Sequence, residues 1–544
     1  MQKVKLLAAM LGLAALMVLG IVLGSPYAPP VEPCMDIEAV WAIEDTRQES
    51  ESPLVTALQW NGSPLAYEKE TNTFYCALGS DLDESWPDIH LTAPNAEGVR
   101  LAFVDDYTYD WCADAVREGY SYQLLTYTEE SFYYTQLVFT GLPLVMIDCA
   151  QEITTLDTPM HAVISYGDHA PVISTGHVHL RGGSSNGEEK KNLKLEFTRS
   201  QSGKRNTVNL PSIGMRSDVL LNPMVFDSSL VRDRLCWDLY AATLGKNYAG
   251  GFDARKMTYA ELFINGEYQG VYLMMEPMEE AQELTDTGLA HLLTDSVYRT
   301  LPTRFERGRP LLQNPKVPTL SFELRYEPAG AQPFAAMQTY LNLLLEEDDA
   351  VFAQKAAQCM DIESVVRYEI LLQAMGLSDN MRNNVYVWAK KSADGMRYQF
   401  APWDMDMSWG NAWGGTDDKF GVNLDGWYSF EMLDRIIACN AGGAADLLVS
   451  RWQDWRKTIF NVNHIADMIA QYYVKLQDSG ALMRNNLRWG LETNTEAYEF
   501  IDFAELRFSA IDGAIGQIAD RRDGYPPFLK NTDPETKFAP IFGM

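Results

Sequence analysis

Three short runs of this 544-residue chain carry residue types at spacings suited to phosphate chemistry. In Ser378-Asp379-Asn380-Met381-Arg382-Asn383-Asn384 an aspartate precedes an asparagine by five positions. The aspartate can accept or orient the proton of an attacking hydroxyl, and the asparagine oxygen can hold a metal ion. In Pro402-Trp403-Asp404-Met405-Asp406 the two carboxylates alternate along an extended segment. They can point the same way and chelate Mg2+, which takes oxygen ligands and completes its shell with substrate phosphates. A calcium site or a plain acidic turn explains Asp404-x-Asp406 equally well in isolation. The third run is Arg181-Gly182-Gly183-Ser184-Ser185-Asn186-Gly187, followed by Lys190 and Lys194. Backbone N–H groups of a Gly/Ser turn approach oxyanions closely, and a lysine adds a point charge; a solvated hairpin loop is the plain alternative.

These residues need elements to position them. Ile362, Val365, Val366, Ile370 and Leu371 recur at helical spacing before Gly376, a C-cap that ends the helix at the entrance to the Asp379 run. Val385–Trp388 and Met396–Phe400 flank Asp394-Gly395, the signal of an antiparallel hairpin. Its open end carries Asn384 on one strand and the Asp404 run on the other, so the two acidic runs become neighbours. Tyr259–Ile264, Asn265-Gly266 and Glu267–Met275 predict a second hairpin, and Leu230, Val231, Leu235 and Leu239 a helix with Asp227 and Ser228 as N-caps. Around Lys190–Phe197, period two sets Lys190, Asn192 and Lys194 on one face and Leu193, Leu195 and Phe197 on the other. Beyond about Ala438 the apolar spacing is helical.

Composition bounds the partners. Lys plus Arg number 44 against 74 Asp plus Glu, a net charge of −30, and such a surface repels phosphate backbones. Nucleic acid is excluded as a partner, and a nucleotide must be held locally by placed cations or metal ions. With 7 His and no CxxC spacing, a zinc site is not expected. Lys3 and Lys5 precede an uncharged run from Leu6 to Gly24, read as a signal peptide or an uncleaved signal-anchor helix with the remainder outside the membrane. Residues 31–141 alternate in short segments and predict a small all-β, sandwich-like domain. Four of the 7 cysteines (Cys34, Cys76, Cys112, Cys149) fall in the first 150 residues and predict one or two disulfides there. Cys236, Cys359 and Cys439 are expected to be buried thiols.

Taken in order, Arg181-Gly182-Gly183-Ser184-Ser185 with Lys190 to Lys194, Asp227 with Leu230-Val231-Arg232, Leu262–Tyr272 to Glu276, Asp379 with Asn384, and Pro402–Asp406 resemble the CotH family of spore coat protein H kinases. The resemblance implies an α+β, atypical protein-kinase-like fold over residues 142–525, with a helical C-terminal lobe from about 438 and a tail at 526–544. It implies Mg2+- or Mn2+-dependent transfer of phosphate from ATP to Ser or Thr of secreted or surface proteins. Asp379 would be catalytic, Arg181, Ser184, Ser185, Lys190, Lys194 and Glu276 would contact the nucleotide, and Asn384, Asp404 and Asp406 would hold metal. Arg232 matches a recurring position without an assigned role. A non-catalytic surface scaffold and a metal-dependent glycosyltransferase are the alternatives. Location at the cell surface or outside the cell follows from the export segment rather than from the family.

Overall fold

The computed structural model describes residues 35–79, 91–94, 96–104, 112–199, 203–245, 252–278, 296–301, 311–314, 317–326, 334–344, 346, 348–381, 383–392, 395–411, 424, 426–493, 495, 497–521 and 525. The architecture is mixed α+β. The chain divides into two compact units, one of Met1–Pro223, Thr258–Met274 and Lys475–Glu492, the other of Met224–Met257, Met275–Val474 and Thr493–Met544. No helix among the described residues is long and apolar enough to cross a membrane. The expected export segment lies outside the described residues.

Among the described residues the first unit begins with a helix, Ile37–Thr46, where the sequence reading expected only strands. Asp36 caps it by accepting the Glu38 N–H at 3.0 Å, and Val40 and Ile43 form its buried face. The sheet that follows runs in the order Ala66–Glu68, Thr73–Ala77, Ser131–Thr140, Ser121–Tyr127, Arg100–Phe103. Thr73–Ala77 lies parallel to Ser131–Thr140. A parallel pair needs a long crossover, here one that includes the helix Cys112–Arg117. The segment is therefore not the all-β sandwich expected. A period-two pattern carries no information on strand direction, and the helix buries only Val40 and Ile43 while Ile37 and Trp41 stay exposed.

The cysteines also differ from expectation. Cys76, Cys112 and Cys149 are free thiols, and Cys34 lies outside the described residues; Cys236 is a buried free thiol as expected, whereas the free thiols Cys359 and Cys439 are only half-buried. Cys76 and Cys112 sit in the core of this sheet with Phe74, Tyr122, Leu124 and Leu137. Burial pushes the Cys76 thiol well above its ordinary range and that of Cys112 up to about 11. Crowding along the sequence did not join sulfurs in space.

From Leu144 the chain builds a closed barrel in the order Leu144–Asp148, Thr158–Ser165, Val172–Leu180, Leu193–Thr198, Asp218–Asn222, Glu267–Met275, Met257–Ile264. The parallel pairing of Leu144 with Glu261 closes it. Inward residues are Val178, Leu193, Leu195, Phe197, Val219 and Leu221, as the period-two reading of Leu193–Phe197 requires. The Asn265-Gly266 hairpin forms as predicted, with Asn265 at φ +52° and Gly266 at φ +79°. Tyr75, Ala77 and Val138 of the preceding sheet share a core with Leu144, Phe263 and Tyr268 of the barrel.

The second unit holds an antiparallel sheet in the order Leu311–Asn314, Val317–Tyr326, Ser296–Leu301, Val385–Ser392, Gly395–Pro402. Its helix Ile362–Met375 is capped by Asp361, which accepts the Ser364 N–H at 3.0 Å, and ends at Gly376 in the left-handed region. A Cβ at Gly376 would meet the Phe503 ring at 2.7 Å, so both backbone and packing require glycine. This helix packs against Ala444–Trp455 and Tyr498–Asp520. The C-terminal part is helical, as expected, from Glu431 onward.

Candidate active site

The second unit brings Asp379, Asn384, Asp404 and Asp406 to one end of a hairpin. Val385 pairs with Pro402 and Ser392 with Gly395, so the residues just outside the ladder, Asn384 and Trp403, are adjacent. The Trp403 N–H donates to the Asn384 carbonyl at 2.9 Å. Asn380, fully buried, clips the junction: its Nδ2 donates to the carbonyls of Asn384 at 3.2 Å and Trp403 at 2.8 Å. Asn384 takes φ +56° and Asp404 φ +60°. Asn and Asp tolerate that region better than other non-glycine residues, and the hairpin junction over-determines both.

Asp379 lies on the single turn Ser378–Met381 that follows Gly376. Its Oδ2 accepts from Asn383 Nδ2 and Asn384 Nδ2, each at 2.8 Å. On the other side of the Asn384 amide, Arg299 donates to its Oδ1. Burial is the largest influence on Asp379 and, with the charge of Asp404, pushes its carboxyl up to about 6 against the lowering effect of Asn383, Arg299 and Asn384. Burial likewise raises Asp406 well above the carboxylate range, followed by the charges of Asp404, Asp233, Asp379 and Asp227.

The helix Arg232–Leu244 holds the Asp404 run from behind. Asp233 accepts the Met405 N–H at 2.9 Å, and Arg232 Nε donates to the Ser408 carbonyl at 3.1 Å. The helix starts at Arg232 with Val231 at the N-cap position, so neither Asp227 nor Ser228 is the expected N-cap; Asp227 instead anchors the first helical residue from five positions upstream. It accepts the Arg232 N–H at 2.8 Å, the Ser229 N–H at 3.0 Å and Arg232 Nη1 at 2.5 Å. The strand ends at Pro402 and the Asp404 run is a turn, not the extended segment expected from its alternation: Asp404 is exposed, Asp406 is half-buried, and Met405 and Met407 are buried.

The donor set suits a hard divalent cation. Among the described residues no three His, Cys, Asp or Glu side chains converge as a metal cage. Two carboxylates plus an amide oxygen are nonetheless what Mg2+ uses when phosphates complete its shell. Arg299 occupies one of the two lone pairs of Asn384 Oδ1. A cation beside Asp404 and Asp406 would offset the charge of Asp404, which after burial is the next largest influence raising the Asp406 proton affinity.

Of the residues expected to contact a nucleotide, Arg181, Ser184, Ser185, Lys190 and Lys194 belong to the first unit. Gly182 sits at φ +101°, and a Cβ there would lie 2.1 Å from Ser185 Oγ, so only glycine fits. Ser184–Gly187 forms a single tight turn with Ser185 buried. Asn186 Nδ2 donates to the Gly182 carbonyl at 2.9 Å, and Arg181 Nη1 to Asn192 Oδ1 at 3.3 Å. Lys194 projects from the barrel wall and pairs with Glu196 at 2.8 Å and Asp218 at 3.3 Å. Lys190 departs from the reading that placed it on the Lys194 face. It precedes the strand and is buried, donating to the Val271 carbonyl at 2.5 Å and Asn485 Oδ1 at 3.1 Å above the Tyr272 ring. Glu276, in the second unit, is buried and accepts the Lys256 N–H at 2.9 Å, bracing backbone.

Sequence reasoning missed Arg299 and Asp233. Asp233 adjoins the recognised Arg232 and could have been found from the helix cap, whereas Arg299 lies 85 positions from its partner Asn384 with no local signal.

No curated protein matches the chain. The family model described as CotH kinase protein matches residues 178–511, more than half of the chain and the whole stretch from the third barrel strand to the last long helix. Every acidic and amide residue gathered at the hairpin end lies inside that match, and the chain belongs to the CotH kinase protein family.

Proposed function

We propose that the chain is an exported, metal-dependent protein kinase that transfers the γ-phosphoryl group of ATP to Ser or Thr hydroxyls of secreted or surface proteins. The observation that carries this reading is the Asp379–Asn384 hydrogen bond at 2.8 Å beside the Asp404 run. Phosphoryl transfer asks little covalent chemistry of the protein; positioning and charge compensation supply the acceleration. Hydrogen bonds from Asn383 and Asn384 fall on Asp379 Oδ2, so Oδ1 is the atom that orients the acceptor hydroxyl and takes its proton. Asp404, Asp406 and Asn384 would hold Mg2+ or Mn2+, which supplies positive charge to the phosphates and fixes the transferring group. Arg181, Ser184, Ser185 and Lys194 supply phosphate contacts. The Lys3–Gly24 segment carries the expectation of export and of attachment at the cell surface.

The test is transfer of labelled phosphate from ATP by the protein, with and without Mg2+ or Mn2+. Asp379→Asn keeps shape and most hydrogen bonding but loses proton acceptance. It should lower kcat about 100-fold with ATP affinity nearly unchanged. Asp404→Ala should abolish metal-dependent transfer in a folded protein. Stabilisation by a nucleotide sugar with Mn2+ but not by ATP with Mg2+ would favour a glycosyltransferase, and stabilisation by neither a scaffold.

A further inference from the structure

We infer that Arg299 is a positioning residue for this site, fixing the Asn384 side-chain amide so that its N–H2 group faces Asp379 and its oxygen faces away. This rests on the kinase reading only for its kinetic consequence. The geometry stands apart from it.

A primary amide presents an acceptor at one end and donors at the other, and nothing in its shape prefers either orientation. The partners decide. A guanidinium has five N–H donors and no acceptor, so the atom of Asn384 that meets Arg299 must be Oδ1. The amide nitrogen is then committed to Asp379, which it reaches at 2.8 Å. With Asn383 donating to the same oxygen at 2.8 Å, Asp379 is held by two N–H groups and its plane is set. A residue without donors at position 299 would leave Asn384 Oδ1 without this partner and the amide held only through its nitrogen on Asp379.

Arg299 is itself well placed to be rigid. It lies in the middle of Ser296–Leu301, between two neighbouring strands, opposite Glu323 on one side and Tyr386 on the other. It is 8% exposed, so the guanidinium is enclosed by packed neighbours and has little access to water. Hydrogen bonds of this kind, from a charged donor to a buried amide, are stronger than neutral ones.

Arg299→Met removes the donors and keeps most of the packing; Arg299→Lys keeps one donor and guards against a folding defect. The first readout needs no activity. In protein labelled with 15N-asparagine and assigned through Asn384→Ala, the Asn384 side-chain amide signals should shift in Arg299→Met. They should also exchange with water about tenfold faster or more, with Arg299→Lys lying between. Unchanged Asn384 signals in Arg299→Met would overturn the inference. The second readout is kinetic. Arg299→Met should lower kcat about 10- to 100-fold with KM for ATP within about threefold, and should have no further effect in the Asn384→Ala background. Full additivity there would overturn it too, since Arg299 would then act without Asn384. Absence of transfer by the unaltered protein, with the amide signals responding as stated, would sink the kinase reading and leave the positioning role standing.

Discussion

Lys190→Met tests whether a conspicuous lysine beside a Gly/Ser loop serves phosphate or the barrel. The Lys190 ammonium is 6% exposed, and burial lowers its pKa from 10.5 to about 7. Between about pH 7 and 10.5 the unfolded chain therefore binds a proton that the folded protein does not. Stability must rise with pH across that window, at up to about 1.4 kcal/mol per pH unit for one group. Integrated from pH 7 to pH 9 with these two pKa values, the gain is about 2 kcal/mol. The methionine variant lacks the group, so the difference in unfolding free energy between the two proteins should change by that amount. Urea unfolding at the two pH values measures it, and contributions common to both cancel. The variant should gain most at neutral pH and below, less whatever is lost by leaving the Val271 carbonyl and Asn485 Oδ1 without this donor. ATP affinity should stay within about twofold. A difference that is flat with pH would refute the buried-lysine reasoning. A loss of ATP affinity of about tenfold or more would return Lys190 to the phosphate role.

Asp227→Ala leaves the buried Arg232 guanidinium without its carboxylate and should cost about 3–5 kcal/mol in chemical denaturation. Adding Arg232→Met should recover most of that, and strictly additive losses would contradict the pairing. Glu369 is fully buried, with Gln373, Trp427 and Tyr525 donating to its Oε1. Burial foremost, then the charge of Asp434, raises its pKa to about 8. The folded protein then holds a proton that the unfolded chain releases between about pH 4.5 and 8, so stability falls with rising pH there. Glu369→Gln should flatten that slope in thermal melts, and an unaltered slope would show that Glu369 does not titrate. A chain begun at Val178, where the family match starts, lacks Leu144–Asp148, Thr158–Ser165 and most of Val172–Leu180 and opens the barrel. It should fail to unfold cooperatively, and a soluble, cooperative product would show that the barrel closes without them.

The hairpin that joins Asn384 to the Asp404 run was legible because its determinants are local, all within about 30 residues: a Gly C-cap, an Asp-Gly pair and two β-rich strands. The Asn265-Gly266 turn was legible for the same reason, and so was the body of the helix Arg232–Leu244, though not its start, which was expected at Asp227. The N-terminal segment was read only in part. Alternation carries no information on the parallel pairing of its strands, and the helix Ile37–Thr46 buries only Val40 and Ile43.

By itself the sequence determined which local elements form and which chemistry-bearing residues end up at their edges, because caps, turns and period-two faces are set by neighbours along the chain. It also determined the family, through five motifs kept in order. Tertiary structure alone decided what each charged group meets. Lys190 and Lys194 are four positions apart, yet one is drawn inside by an asparagine 295 residues away and the other pairs with Glu196 and Asp218. Arg299 reaches Asn384 across neighbouring strands. Burial and partner choice are properties of the packed molecule, and they set the proton affinities of Asp379 and Asp406. No spacing rule along the chain contains them.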